Sequence, residues 1–474
     1  MWDEIKSEWS INKSSYQTMR KNIILITVDS LRVDHVGHLS NRVKYTPCID
    51  SLAEKGASYT HAYANGIPTY FAFRSILGGR RDINTDDPIG LPIGWHSLAD
   101  EFSERGYETA GFNAANPWLT ESFHYDSGFD TFVDFLNDDS SGDETSPLVK
   151  GMQRVQHRIP EEGQLRDKLG LAARAFCSFT KNFPIKSCEA VTKKAVQWLN
   201  SRSSDSPFFL WVHYMDPHYP WTPASKEISS WEVARTWHEV AHIYNKSDQQ
   251  PEQSTLESVN RLYAREVKNV DSAIGKIINH SSNDEKTIVC VTADHGTELG
   301  DHGGFSHGPA SLYNEVTHVP LVLSGPEIQN RTISSPVQHI DIPTTLIELA
   351  NSESNKEFVY DWPGNNLLDE QREFALTEVI YNYNPAASKT DTSGILCAIV
   401  CWPWKLHWNQ HLDEVELYNL AEDPHETEDL SVESQSEVQK LKGLIRDEQK
   451  TTEVESRTAT EILRIRECLR RLEA

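Results

Sequence analysis

An α/β fold on a mostly parallel sheet is what this sequence predicts, and two observations carry that reading. Short apolar, β-branched runs recur along the chain, and stretches with helical spacing of apolar residues separate them. A strand buried on both faces reads as an unbroken apolar run, and alternation with helices marks a parallel sheet covered on each side.

The elements follow in order. "NIILITVDS" (22–30), "PFFLWVHYMD" (207–216), "KTIVCVTADHG" (286–296) and "VPLVLSGP" (319–326) are predicted as buried strands. "CIDSLAEKGA", "HSLADEFSERG", "SCEAVTKKAVQWLNS" and "RLYAREVKNVDSAIGKIINH" are predicted as helices between them. A polar, acidic stretch over 137–170 reads as an insertion or loop, and 225–260 as a helical excursion in the place of a lid. Polar "NSESNKE" after residue 350 marks a boundary. Beyond it "GILCAIVCWPWKLHWNQ" and "EVELYNL" predict antiparallel strands. The organisation expected is a large unit over 20–350, a small C-terminal α+β subdomain over 356–430 and a helical tail over 431–474. In that tail "ATEILRIRECLRRL" is amphipathic, as a docking helix would be.

Charge and composition exclude several classes. Seventy acidic against 45 basic residues give a formal charge of −25 over 474 residues. Such a surface repels nucleic acid and anionic lipid. An anionic substrate therefore needs local help, from a metal ion or an inward-facing Arg or His. The seven cysteines form no CxxC pair, which predicts reduced thiols and a cytoplasmic location. The N-terminal stretch lacks an apolar signal core, and "IILITV" is too short to span a bilayer. The sequence leaves the oligomeric state open.

Chemistry gathers at strand ends. Asp29 follows "IILITV", Asp294 and His295 follow "IVCVTA", and His213, Asp216 and His218 follow "FFLWV". Ligands of open α/β sheets bind beyond the carboxyl ends of the strands. One Asp after a strand is usually a helix cap, but three strands ending in Asp or His suit a divalent cation: Mn²⁺, Zn²⁺, Mg²⁺ or Ca²⁺. The loop "YANGIPTYFAFRSILGGR" (63–80) has neither Cys nor a well-placed Ser where a nucleophile would sit. Thr69 follows a Pro and opens a helix-like run. Alone it reads as a turn or N-cap residue. Beside a dication its hydroxyl loses a proton more easily and becomes a nucleophile.

These residues resemble the sulfatase family of the alkaline phosphatase superfamily. The matching stretches include "NIILITVDSLRVDHVG", "TPCIDSLAEKGASYTHAYANG", "HYMDPHYPW", "VTADHGTELGDHGG", "HGPASLYNEVTHVPLVLSGP" and "ELYNLAEDPHETEDL", in the family's order over most of 20–430. The resemblance implies a catalytic domain over 20–350 with a large mixed sheet flanked by helices, then a smaller domain with an antiparallel sheet. It also implies a metal-dependent ester hydrolase. Asp29, Asp294 and His295 match metal ligands, His218 the transferred-group His, and His307 the Lys or His near the leaving group.

The departures shape the expected chemistry. The family's formylglycine precursor, Cys or Ser, is missing. Counting back from Gly79 puts Thr69 at the nucleophile; counting from Arg74 puts Tyr70 there. "NAANPWL" (113–119) replaces a Gly-Lys-x-His stretch, and Ser30 stands where many sulfatases have a second ligand Asp. A Thr nucleophile is similar to that of lipoteichoic acid synthases and phosphoethanolamine transferases. That similarity implies one metal held by Asp29, Thr69, Asp294 and His295. The expected activity is phosphomono- or diester hydrolysis or transfer through Thr69, with His218 and His307 as the other catalytic groups. Arg32, Arg74 and His213 are substrate-contact candidates, although Arg32 and Arg74 equally suit structural ion pairs and His213 a buried, hydrogen-bonded role. The expected substrate is a small, glycan-linked or lipid-linked anionic ester. The alternatives are sulfate-ester hydrolysis without formylglycine and a catalytically silent binding protein.

Overall fold

The computed structural model describes residues 20–40, 44–81, 89–136, 186–202, 206–223, 227–244, 251–281, 286–307, 311–350, 362–369, 372–380 and 394–453. The stretch 137–170, the polar boundary 351–357, the amphipathic stretch 459–472, Cys177 and Cys468 lie outside them.

The centre of the molecule is β1 (Asn22–Val28), buried at all seven positions. Successive side chains of a strand point to opposite faces, so both faces of β1 are covered. It pairs in parallel with β5 (Phe208–Tyr214) and β6 (Thr287–Ala293), and these are fully buried as well. The sheet continues through β2 (Ala57–Tyr63), β3 (Glu108–Asn113), β4 (Thr131–Val133), β9 (His318–Ser324), β10 (Arg331–Ile333) and β11 (Val337–Gln338). Strand order is β10-β2-β9-β6-β1-β5-β3-β4, with β11 also on β2. Only β9 runs against its neighbours β2 and β6, so the sheet is mixed, as expected.

That reversed strand positions the chemistry. The chain leaves β6 at its carboxyl end and re-enters as β9 from the same edge. It carries the small ribbon of β7 (Glu298–Leu299) and β8 (Phe305–Ser306) on the way. The loops after β1, β2, β3, β5 and β6 and the loop before β9 therefore all open on one edge.

Two helix groups cover the sheet. The helices α1 (Pro47–Ala53), α4 (Cys188–Ser201) and α6 (Gln253–Ser281) pack together, with α5 (Ser230–Tyr244) against α6. The other group is α3 (Leu98–Glu104) with α7 (Asp341–Ala350). A capping box opens α3, where Ser97 and Asp100 satisfy each other's backbone N–H. No described helix is long and apolar enough to cross a membrane.

A second, antiparallel sheet orders β12 (Ala375–Ile380), β13 (Ile395–Cys401), β14 (Trp404–Asn409) and β15 (Glu414–Asn419) side by side. One face, with Leu376, Cys397, Ile399 and Leu406, packs on Val438, Leu441 and Ile445 of the helix over 435–453. Val379, Leu396 and Ala398 join the main core instead. The described cysteines, Cys48, Cys188, Cys290, Cys397 and Cys401, are all free.

The loop that opens the site is braced by glycine. The helix α2 (Thr69–Ile76) ends just before Gly78, and Gly79 has φ +65°. A Cβ on Gly79 would lie 2.8 Å from the Trp362 ring. Gly79→Ala is expected to cost on the order of 1–3 kcal/mol, because it adds left-handed strain to that clash. An unchanged midpoint in urea unfolding would contradict this.

Candidate functional site

Asp29 and Asp294 are adjacent across the sheet, because Val28 pairs with Ala293 in the parallel register and each Asp follows directly. Thr69 arrives from the loop after β2. Its Oγ1 lies 3.3 Å from Asp29 Oδ2 and 3.3 Å from His295 Nε2. His295 Nδ1 donates to Gly296 O at 2.7 Å, which leaves Nε2 as a lone pair. The single Thr69 proton thus faces two acceptors. His295 Nε2 is 3.6 Å from Asp294 Oδ2, and that buried oxygen has no hydrogen-bond partner among the described residues. The four groups named from the sequence as one ligand set do meet in space.

Their electrostatics call for a cation. Burial, and next the neighbouring Asp294, push the Asp29 carboxyl up to about 7. Charging the Asp29 carboxyl in this buried place is costly, and a dication removes the cost. Two carboxylates, an imidazole lone pair and a hydroxyl are donors that first-row and alkaline-earth dications accept. The residues present therefore fit a divalent ion.

His218 and His307 stand beside this cluster. The His307 ring centroid is 4.4 Å from that of His295 and 4.9 Å from that of His218. Burial holds both imidazoles below their ordinary pKa, and for His307 the nearby His295 and His218 add to it. Each is neutral and offers one N–H and one lone pair. His213 is fully buried, 3.8 Å from Asp29 Oδ2 through Nε2, and burial lowers it to about 4.

Of the two readings open for Arg32, the structure shows the ion pair. It binds Asp34 at 2.8 Å, pairs with Asp301 and donates to Thr297 O at 3.1 Å. Arg74 is buried at the end of α2 and donates its Nε to Gly90 O at 2.9 Å. Both guanidiniums brace loops around the cluster.

Three neighbours complete the cluster, and of these only Ser30 is singled out by the sequence. Asn116, in the loop after β3, donates Nδ2 to Asp29 Oδ2 at 3.3 Å. Ser30 has φ 61°, uncommon for a residue with a side chain. Its N–H reaches Asp294 Oδ1 at 3.2 Å and its Oγ donates to Asp29 Oδ1 at 2.7 Å. Tyr263 of α6 fixes this turn: its hydroxyl donates to Ser30 O at 2.7 Å and accepts from Arg32 N at 2.8 Å. Strain of this kind persists where several bonds over-determine it.

Behind His218, Asp216 and Glu266 hydrogen-bond to each other in a fully buried pair. Cys188 N donates to Asp216 at 2.9 Å and Thr222 N to Glu266 at 2.8 Å. Burial raises both carboxyls, Asp216 to about 6 and Glu266 well above the usual range, so the pair retains a proton in the folded state. Stability from such raised groups is full below the unfolded pKa and is lost as pH rises through the folded one. Glu266→Gln supplies the shared N–H without a titrating proton. It is expected to match wild type near about pH 5 and exceed it near about pH 8 in urea midpoint. A variant that loses stability equally at both pH values would refute the shared proton.

The helical excursion seats against this same loop, since Trp237 of α5 donates Nε1 to Trp221 O at 3.2 Å.

A family model described as Sulfatase matches residues 21–352, and one described as N-sulphoglucosamine sulphohydrolase, C-terminal, matches residues 300–453. The uncharacterized sulfatase YidJ of Escherichia coli is 27% identical, over 51% of this chain and 50% of its own. An arylsulfatase of Clostridium perfringens is 23% identical over 87% of this chain and 90% of its own. Among solved structures, one of a protein in complex with its substrate D-glucosamine-2-N,6-O-disulfate superposes with TM-score 0.65. It is 18% identical and covers 92% of this chain and 98% of its own. The phosphonate monoester hydrolase of Agrobacterium radiobacter gives TM-score 0.64 at 17% identity, over 92% and 96%.

Proposed function

Because this chain belongs to the sulfatase family, a family of ester hydrolases, we propose that it cleaves phosphoesters with Thr69 as nucleophile. One observation carries the reading: the hydroxyl at the nucleophile position lies 3.3 Å from both an Asp and a His of the cation-binding set. Asp29, Thr69, Asp294 and His295 would hold a dication, which would supply Lewis-acid polarisation and a lowered hydroxyl pKa there.

The side chains account for the rest. Thr69 Oγ attacks phosphorus as the ester oxygen departs, and the former hydroxyl proton ends on the departing alcohol. His307, neutral and tilted against Thr69's partner His295, and His218, neutral and tilted against His307, donate hydrogen bonds to the non-bridging oxygens and relay that proton. Water then attacks phosphorus of the phosphothreonine, and Thr69 is restored with release of phosphate. Asn116 and Ser30 hold the Asp29 carboxylate through both transfers.

A sulfate ester is the second reading, favoured by the relatives named arylsulfatases. Thr69 lacks the extra hydroxyl of a formylglycine hydrate, through which a sulfated intermediate collapses, and water would have to attack sulfur. We propose further that the substrate is a small, glycan-linked or lipid-linked anionic ester in the cytoplasm. The free described thiols support that location.

The test is turnover of an aryl phosphate, a phosphodiester and an aryl sulfate by purified protein, with Mn²⁺, Zn²⁺, Mg²⁺ or Ca²⁺ and then with chelator. Phosphoester turnover that disappears with chelator is expected. Sulfate turnover alone would move the assignment to the second reading.

A further inference from the structure

We propose that His213 ligates the cation through Nε2, and that this second imidazole selects a transition-metal dication, foremost Zn²⁺, over Ca²⁺ and Mg²⁺. The inference rests on the metal reading above and extends it to a residue outside the ligand set expected from the sequence.

The ring is held in one pose. His213 lies at the carboxyl end of β5, paired in register with Thr27, two residues before Asp29. Phe73 meets it edge-on at 5.0 Å between centroids, and Trp211 stacks at 6.1 Å. Its Nδ1 is 3.0 Å from Thr27 Oγ1, and Trp211 Nε1 donates to that same oxygen at 3.0 Å. An outer hydrogen bond on one ring nitrogen is how proteins aim the other at a metal.

Among the described residues the other nitrogen has no partner: His213 Nε2 is buried and makes no hydrogen bond. With a proton it lacks an acceptor, since Asp29 Oδ2 at 3.8 Å is beyond reach. Without one, its lone pair faces carboxylates. A cation resolves either case. One donor atom each from His213, Asp29 and Asp294 lie within 4.8 Å of one another, and Asp294 Oδ2 is unpartnered too.

The chemistry of the set then indicates the cation class. Ser30 supplies no carboxylate at its position, and its Oγ is spent on Asp29. The anionic donors are two Asp, which balance a dication, and the neutral donors include two imidazoles. Calcium prefers six to eight oxygens and magnesium an oxygen octahedron, whereas imidazole suits zinc and its neighbours.

Mn²⁺ bound to the wild-type protein provides the probe, because pulsed electron paramagnetic resonance counts coordinated imidazole nitrogens independently of turnover. Two are expected in wild type and one in His213→Gln, with His295→Gln as the comparison. In competition, wild type is expected to hold Zn²⁺ at least about 100-fold tighter than Ca²⁺, and His213→Asp to narrow that ratio at least about tenfold. One nitrogen in wild type, or Zn²⁺ affinity unchanged in His213→Gln, overturns the role of His213 and leaves the metal reading standing. No dication bound to wild type sinks both. Should the variants misfold, the wild-type nitrogen count alone decides.

Discussion

Thr69→Ala is expected to abolish aryl phosphate hydrolysis, a loss on the order of 10³-fold or more, because it deletes the atom that bonds to phosphorus. The thermal midpoint should change little, since Thr69 opens α2 without a side-chain capping bond. Among the described residues its side chain bonds to Asp29 and His295 alone. Thr69→Ser keeps an oxygen in place and should retain most of the rate. Rapid-quench mass analysis of the wild type should find the phosphoryl group on the peptide containing Thr69. Undiminished phosphate turnover in Thr69→Ala would remove the covalent route altogether. Phosphorylated Tyr70 in that experiment would instead select the register counted from Arg74.

Lys405→Met is expected to destabilise the folded chain by about 3–5 kcal/mol, the cost of stranding a buried charge. Lys405 and Glu426 pair at 2.8 Å with both side chains fully buried. Burial pushes the Glu426 carboxyl up, but Lys405 and then His407 outweigh it and hold it at about 2. A depressed carboxyl contributes stability above its unfolded pKa and loses it as pH falls through the folded value. The penalty in Lys405→Met should therefore be full at neutral pH and shrink in mild acid, where Glu426 can take up a proton. Urea titrations at the two pH values measure it, and adding Glu426→Gln should recover part of the loss. A pH-independent penalty would point to lost packing alone. Activity should fall as well. Lys405 donates to Asn314 Oδ1 and Thr317 Oγ1 at 3.0 and 3.2 Å, and Glu426 accepts from Asn314 N at 2.6 Å. The second sheet is thereby tied to the segment between His307 and β9.

The sequence exposes those parts of the fold whose burial is uniform. β1, β5, β6 and β9 are legible because strands covered on both faces are mostly apolar along their length. β2 is harder to see: its middle carries Thr60 and His61, half-buried where their side chains reach carbonyls of the 333–334 segment. β3 carries Gly111, whose missing side chain makes room for Phe132 and Trp211. Asp29, Asp294 and His295 could be named because the strand-end rule needs no partner information. Asn116 and Tyr263 could not, because their places are set by a loop and by a helix packed from a remote part of the chain. His213 shows the limit most clearly. Strand-end position flags it, but only the register against Thr27 shows which nitrogen is left bare.

The slot that β6 fills between β1 and β9 has a temporal meaning. Ser30 and Asp294 touch across 264 residues of chain. A nascent polypeptide already carries Asp29, Thr69 and His213 long before the ribosome delivers their counterparts. Contacts so distant along the chain form slowly. Capture of the proposed ion would then come late in maturation, and a product truncated before β6 would lack Asp294 and His295 however well its first half had condensed.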